Sequence, residues 1–191
     1  SGVKENVYPE NGSVVIIDDE IKEALPLMNV LSKANIPFKY FSGDKLNLPE
    51  ECIGNIKILF LDLRLDPTLD PENESHHTAI ISKIKGIIKI VVSEKCKPYI
   101  IIAWTKHQGL VTKLWESLKK DLEKRSPLFI LPIDKSKCKV NGSDEFDIQK
   151  VSKQLDEKIK KFGSFKFFLK WQNISNKSSG EIINAISSIY P

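Results

Sequence analysis

Cysteine is scarce in this chain, which has three cysteines among 191 residues, at positions 52, 96 and 138. No two of them have the spacing of zinc ligands, and their number is odd, so the pattern argues against a zinc site and against a disulfide framework. Such cysteine usage is typical of a reducing cytoplasm, which is where we expect the protein. No apolar run approaches the roughly 18 residues that a membrane-spanning helix needs, so we expect no membrane span.

An excess of one charge sign is also missing. Lysine and arginine total 29 against 25 acidic residues, which leaves a net charge of +4, and the lysines are scattered along the chain. A nucleic-acid-binding domain usually concentrates its basic residues on one face. We therefore do not expect nucleic acid as a partner.

Five short apolar segments predict β-strands. They span residues 13–20, 37–44, 56–62, 98–104 and 128–134. The third, IKILFLD, is apolar at consecutive positions, as a central strand of a parallel sheet is when both of its faces are buried.

Apolar residues at helical spacing separate most of these strands. They predict helices over 21–33, from Ile80 to Val92 and from Leu110 to Leu122. The β-branched residues between Ile80 and Val92 would also suit a strand, but their i, i+3, i+4 repeat favours a helix. Pro26 is expected in or near the first turn of its helix. The segment LNLPEECIGN predicts a short helix or a turn.

Strands that alternate with helices predict a parallel sheet with helices on both faces. Beyond a polar loop at 136–144, further helices are expected at about 145–162, 164–172 and 178–189. We expect three parts: a tag scar and leader at 1–12, a domain at 13–136 and a helical extension at 137–191. The start SGV lacks a methionine, which leads us to expect a fragment of a longer protein.

Polar side chains collect where the predicted strands end. Asp18 and Asp19 follow the first strand, Asp62 ends the third, and Thr105 and Lys135 follow the fourth and fifth. The carboxyl ends of parallel strands meet at one edge of the sheet. Clustered carboxylates repel one another, and Mg²⁺ relieves that repulsion through oxygen ligands. A carboxylate beside Mg²⁺, lysine and threonine can attack a phosphoryl donor and become an aspartyl phosphate.

The stretches VVIIDDE, LFLDLRLDP and IIIAWT resemble the strand ends of response-regulator receiver domains, over about residues 12–136. The resemblance implies the CheY-like, flavodoxin-like strand order 2-1-3-4-5. It also implies that Asp62 accepts the phosphoryl group and that Thr105 follows this group when the domain switches. The Mg²⁺ ligands it implies are Asp18, Asp19, Asp62 and the main-chain carbonyl of Arg64.

The chain departs from the usual receiver pattern in three places, and one of them is the proline after Asp62, which comes one position late, at Pro67. The separation from Asp62 to Thr105 is longer than in a typical receiver, so the loop and helix after Asp62 are expected to be expanded. A usual receiver has lysine followed by proline in the fifth strand, a pattern that would place Leu131 at the lysine position. We favour Lys135 in a shifted register, because AWTKH and IDKS together resemble an atypical receiver subgroup of larger bacterial proteins.

The resemblance implies a signalling role. A histidine kinase or a small phosphodonor would phosphorylate Asp62, and the domain would regulate an output domain or a partner protein, in the same chain or another. No enzymatic activity is expected beyond Mg²⁺-dependent self-phosphorylation and dephosphorylation. The alternative is a pseudo-receiver that binds a partner without this chemistry. A hydrolase of the haloacid-dehalogenase kind would need an aspartate at position 64, where this chain has arginine.

Overall fold

The computed structural model describes residues 13–96 and 98–161. The strands are β1 (Ser13–Ile17), β2 (Phe38–Phe41), β3 (Ile56–Leu61), β4 (Ile100–Thr105) and β5 (Ile130–Asp134). The helices are α1 (Ile21–Lys33), α2 (His77–Val91), α3 (Leu110–Asp121) and α4 (Ile148–Lys161). Each predicted strand is present, and the periodic segment that begins at Ile80 is helical.

The five strands form one parallel sheet in the order β2-β1-β3-β4-β5. This confirms the predicted fold class. Ile17 pairs with Leu61, Leu61 with Ala103, and Thr105 with Asp134. The central strands therefore end at nearly the same level, and the residues that follow them share one edge.

Apolar packing on both faces of the sheet holds the helices in place. On one face, α2 and α3 cover alternate strand residues such as Val15 and Leu59. On the other face, α1 and α4 cover the intervening residues, such as Ile16 and Phe60. A strand buried on both faces needs consecutive apolar residues, which explains why β3 has no polar alternation.

Two local features differ from a regular alternation of strands and helices. The connection from β2 to β3 forms a short 3₁₀ turn at Lys45–Asn47, in agreement with the predicted short helix or turn. Pro26 lies in the second turn of α1, next to the first turn, because the helix begins at Ile21. The proline cannot donate the backbone hydrogen bond expected at that position.

The predicted helix at 145–162 corresponds to α4, which packs its buried residues Val151 and Leu155 against the same core as α1. The expected leader at 1–12 and the helices expected at 164–172 and 178–189 lie outside the described residues. Among the residues that the structure describes, no helix is both long and apolar enough to cross a membrane.

We predict that α4 contributes to the stability of the sheet domain. Leu155 is 2% exposed, and removing a buried leucine side chain costs about 2–5 kcal/mol of unfolding free energy. Leu155→Ala should lower the free energy of unfolding by that amount in a urea titration. The matched control is Lys153→Ala on the exposed face of the same helix, which should change it little. Equal stability of the two variants would show that α4 does not pack on the domain.

Candidate functional site

Four polar side chains reach the carboxyl edge of the sheet because the strands end there together. Asp18 follows β1, Asp62 follows β3, Thr105 ends β4 and Lys135 follows β5. The backbone N–H of Asp62 donates to the carbonyl of Ile17 at 2.9 Å, which extends the pairing of β1 and β3 up to the site. The positions of these acids are therefore set by the sheet itself.

The Lys135 ammonium lies at the centre of the site. Its Nζ donates to Asp18 Oδ2 at 2.8 Å, to Asp62 Oδ2 at 2.9 Å and to Glu23 Oε2 at 2.8 Å. Lys135 is 1% exposed, Asp18 is fully buried and Asp62 is 6% exposed. Three acceptors satisfy the three donors of the ammonium, which is what a buried lysine needs to remain charged.

The shifted register of β5 explains how Lys135 reaches Asp62. Asp134 pairs with Thr105 at the end of β4, so Lys135 comes one residue beyond the sheet. Asp134 then caps a 3₁₀ turn by accepting the backbone N–H of Ser136. Leu131, the alternative position, is buried within the strand among apolar neighbours. The structure therefore places the ammonium of Lys135, and not residue 131, beside the acid.

Glu23 is a member of the site that the sequence patterns did not single out. It lies in the first turn of α1, and helical side chains lean toward the helix N-terminus, which here faces the strand ends. Its second carboxylate oxygen, Oε1, accepts from Lys106 Nζ at 3.2 Å. An acid in a first helical turn is common because of the helix dipole, so its sequence position alone carried no signal.

Asp19 and Arg64 lie at the wall of a cavity of about 140 Å³ that opens beside Asp62 and Lys135. Asp19 is only partly buried, and its carboxylate does not belong to the group formed by Asp18, Glu23 and Asp62. The backbone N–H of Arg64 donates to Asp62 Oδ1 at 3.3 Å. The structure thus brings Asp19 and Arg64 near Asp62 without placing their side chains in the ion-paired cluster.

Thr105 is fully buried at the end of β4. Its Oγ1 accepts the backbone N–H of His107 at 3.0 Å. The residue before it, Trp104, donates its indole N–H to the main-chain carbonyl of Glu23 at 3.0 Å. The end of β4 is therefore connected both to the loop that follows it and to the first turn of α1.

Burial and charge shift the proton affinities of the cluster. Burial raises the pKa of Asp18 to about 7, the Lys135 ammonium opposes that rise, and the Asp62 carboxylate adds to it. Burial works against the charge of Lys135, but the carboxylates of Asp62 and Asp18 outweigh it and raise the pKa of the ammonium. Burial likewise opposes ionisation of Glu23, yet the hydrogen bond and charge of Lys135 lower its pKa. Burial and the nearby Asp62 raise the pKa of Asp19.

The carboxylates of Asp18, Glu23 and Asp62 form a group that could hold a metal ion. One carboxylate oxygen from each of Asp18, Glu23 and Asp62 lies within 4.8 Å of the others, and Mg²⁺ prefers a few carboxylates together with water. The cavity of about 140 Å³ has room for several waters at about 30 Å³ each. With Asp19 and Glu20 included, five carboxylates face the three cationic groups of Lys135, Lys106 and Arg64, an excess of negative charge that a divalent cation would balance.

Histidine side chains contact the loop at 62–76. His76 Nδ1 accepts a main-chain N–H of the loop at 2.9 Å, and His77 Nε2 lies 2.8 Å from a main-chain carbonyl oxygen of the loop. From the β4 side, His107 Nδ1 lies 2.6 Å from Glu72 Oε1. These contacts hold the loop against the rim of the cavity, which His107 helps to line.

We predict that Lys135 keeps the buried carboxylates compatible with the fold. Lys135→Met leaves Asp18 and Asp62 without their cation, and breaking a buried ion pair in this way costs about 3–5 kcal/mol. In metal-free buffer at pH 7, the free energy of unfolding measured in urea should fall by about that amount. Lys137→Met, which removes an ammonium from a side chain that is 72% exposed, should change it by less than about 1 kcal/mol.

The loss of unfolding free energy in Lys135→Met should become smaller as the pH is lowered from 7 toward 5.5. Burial raises the pKa of Asp18 in the folded protein, and removing Lys135 deletes the cation that opposes this rise. The folded variant then binds protons that the unfolded chain does not bind at this pH, so its stability increases as the pH falls. A Lys135→Met variant as stable at pH 7 as Lys137→Met would contradict the role assigned to the ammonium.

Comparisons with known proteins give only weak likenesses. No family model matches the chain, and no curated protein matches it. One similar solved structure is a yeast Spc42 trimeric coiled-coil segment, amino acids 181–211, fused to another structure, with a TM-score of 0.42, 13% identity and 95% of each chain covered. Another is the CheX-CheY-BeF3-Mg+2 complex from Borrelia burgdorferi, with a TM-score of 0.34, 18% identity, and coverage of 75% of this chain and 86% of that one. Both TM-scores are below 0.5, so we infer nothing about this chain from these two structures. The CheY-like fold class follows from the strand order of the sheet.

Proposed function

We propose that this chain is a receiver-like signalling domain that accepts a phosphoryl group on Asp62 in a Mg²⁺-dependent manner. The observation that carries the proposal is the contact of a buried lysine ammonium with Asp62 and Asp18 at the carboxyl edge of a 2-1-3-4-5 sheet. Ligands of open parallel sheets bind at that edge. A strand-end carboxylate beside a fixed cation is the arrangement that phosphoryl transfer to aspartate requires.

Asp62 is the nucleophile of the proposed reaction. One of its carboxylate oxygens forms a bond to phosphorus, and the bond from phosphorus to the donor's leaving atom breaks. That atom is oxygen in acetyl phosphate and an imidazole nitrogen in a phosphohistidine, and the leaving group departs with the bonding electrons. Lys135 Nζ, held 2.9 Å from Asp62 Oδ2, donates to the oxygens on which negative charge accumulates. Its fixed position lowers the reorganisation needed during transfer.

Magnesium, when bound, would neutralise negative charge on the phosphoryl oxygens. Asp18, Asp19, Asp62 and the main-chain carbonyl of Arg64 are the groups proposed to hold it. The cluster described above supports this proposal, because Asp18 and Asp62 present oxygens within reach of one another and Asp19 lines the adjoining cavity.

Thr105 is the proposed switch residue. Its hydroxyl oxygen accepts the N–H of His107, which leaves the hydroxyl proton to be donated to a phosphoryl group on Asp62. A shift of Thr105 would therefore alter the loop that follows β4. Such a response requires two conformations of similar free energy that the phosphoryl group biases.

A histidine kinase or a small phosphodonor is the proposed source of the phosphoryl group. The switched surface would act on an output domain or a partner protein. The domain would have no enzymatic activity beyond Mg²⁺-dependent self-phosphorylation and dephosphorylation.

A pseudo-receiver is the second candidate, and one observation favours it. Lys135 already pairs with Asp18, Glu23 and Asp62, so the carboxylates are partly neutralised by the protein itself. In that case the site would stabilise a fold that binds a partner. The two candidates differ in whether Mg²⁺ and a phosphodonor react at Asp62.

Incubation with Mg²⁺ and acetyl phosphate should add the mass of one phosphoryl group to the intact protein. Asp62→Asn should abolish the addition, because the amide is not a nucleophile under these conditions. Omitting Mg²⁺ should abolish it in the unaltered chain. The control is Asp144→Asn, which removes a fully exposed carboxylate and should leave the addition unchanged.

A mass increase that persists in Asp62→Asn would overturn the assignment of the acceptor. No mass increase in the unaltered chain, together with no binding of Mg²⁺ at millimolar concentration, would favour the pseudo-receiver instead.

A further inference from the structure

Glu23 is placed to hold the lysine of the site during the reaction. We propose that Glu23 is a positioning residue, which anchors the Lys135 ammonium while Asp18 and Asp62 change their partners. The inference deepens the proposed phosphoryl transfer and rests on it. Nothing in the sequence patterns assigned a role to this residue, and its carboxylate forms no bond to phosphorus.

The proposed reaction changes the three carboxylates that contact Lys135 in different ways. Asp62 becomes an acyl phosphate and loses its negative carboxylate. Asp18 would take part in holding the cation. Glu23 alone of the three keeps its charge and its contact with Lys135, with Oε2 at 2.8 Å from Nζ. Because of its contact with Glu23, Lys135 stays at the site while Asp62 carries the phosphoryl group and Asp18 holds the cation.

Glu23 is itself fixed on two sides, which an anchor needs to be. Its Oε1 accepts from Lys106 Nζ at 3.2 Å, and its main-chain carbonyl accepts the indole N–H of Trp104 at 3.0 Å. Its side chain is 24% exposed, so the contacts are partly shielded from water. Of the two residues that contact Glu23, Trp104 lies in the last part of β4 and Lys106 directly follows this strand, whereas Lys135 follows β5.

The Glu23 carboxylate also affects how strongly Lys135 competes with Mg²⁺ for the carboxylates of Asp18 and Asp62. Without the Glu23 carboxylate, the ammonium has only Asp18 and Asp62 as charged partners and binds them more tightly. Both carboxylates would then be less available to Mg²⁺, and the Asp62 oxygen would be a weaker nucleophile. Removing a residue that orients such groups commonly lowers metal affinity or activity by about 10–100-fold.

The test compares the unaltered chain with three variants: Glu23→Gln, Glu23→Asp and Glu116→Gln. Two quantities are measured for each, namely the dissociation constant for Mg²⁺ by calorimetry and the rate of phosphorylation by acetyl phosphate at saturating Mg²⁺. Glu23→Gln should weaken Mg²⁺ binding and slow phosphorylation, each by about tenfold. Glu23→Asp keeps the charge on a shorter side chain and should recover part of both losses.

Glu116→Gln is the matched control, since it removes the same charge from an exposed residue of α3 that does not line the cavity. It should change both quantities much less than Glu23→Gln, because charges in water are strongly screened. The free energy of unfolding, measured in parallel, separates a positioning role from a structural one: a structural role would lower stability in Glu23→Gln and leave the rate at saturating Mg²⁺ unchanged.

The outcomes separate the two proposals. An unaltered chain that is phosphorylated, with a Glu23→Gln variant that matches it in rate and in Mg²⁺ affinity, would overturn the inference and leave the proposed function standing. An unaltered chain that is not phosphorylated would overturn the proposed function and the inference with it. If Glu23→Gln fails to fold, the Glu23→Asp variant decides: values equal to those of the unaltered chain in both quantities would overturn the inference.

Discussion

A single buried ammonium holds this site together. Three carboxylates within a few ångströms would repel one another and would be costly to remove from water, and Lys135 compensates for both by donating to Asp18, Glu23 and Asp62 at 2.8–2.9 Å. These contacts also join parts of the fold, since the acids follow β1 and β3 or lie in α1, whereas the lysine follows β5. The chemistry proposed for the site therefore depends on the same interaction that connects these elements.

The parallel sheet supplies the precision of the arrangement. β1 and β3 pair in register, with Ile17 opposite Leu61. The residues that follow these two strands therefore lie at the same level of the sheet. The apolar core on both faces fixes these strands, so the acids at their ends have little freedom to move apart. Buried charge is acceptable at the edge of such a sheet because the backbone is already ordered and the partners are already in place.

Much of this arrangement was predictable from the sequence, and the exceptions have physical reasons. Consecutive apolar residues ending in Asp18 and Asp62 indicated buried strands with acids at one edge, and the helical repeat from Ile80 onward outweighed its β-branched composition. Sequence patterns could not decide by themselves between Leu131 and Lys135, because the choice depends on the register of β5 against β4. Glu23 was missed since an acid in a first helical turn is common, and only the approach of α1 to the end of β5 shows what it contacts.

The most direct test of the central claim is a crystal structure of the chain with Mg²⁺ and beryllium fluoride, which imitates a phosphoryl group on a carboxylate. We predict a beryllium fluoride group bonded to Asp62, with Lys135 Nζ at hydrogen-bonding distance, about 3 Å, from one of its fluorides, and with Glu23 still in contact with Lys135. A structure that shows no group on Asp62, and that keeps Lys135 paired with Asp18 and Asp62 at the distances given above, would contradict the account.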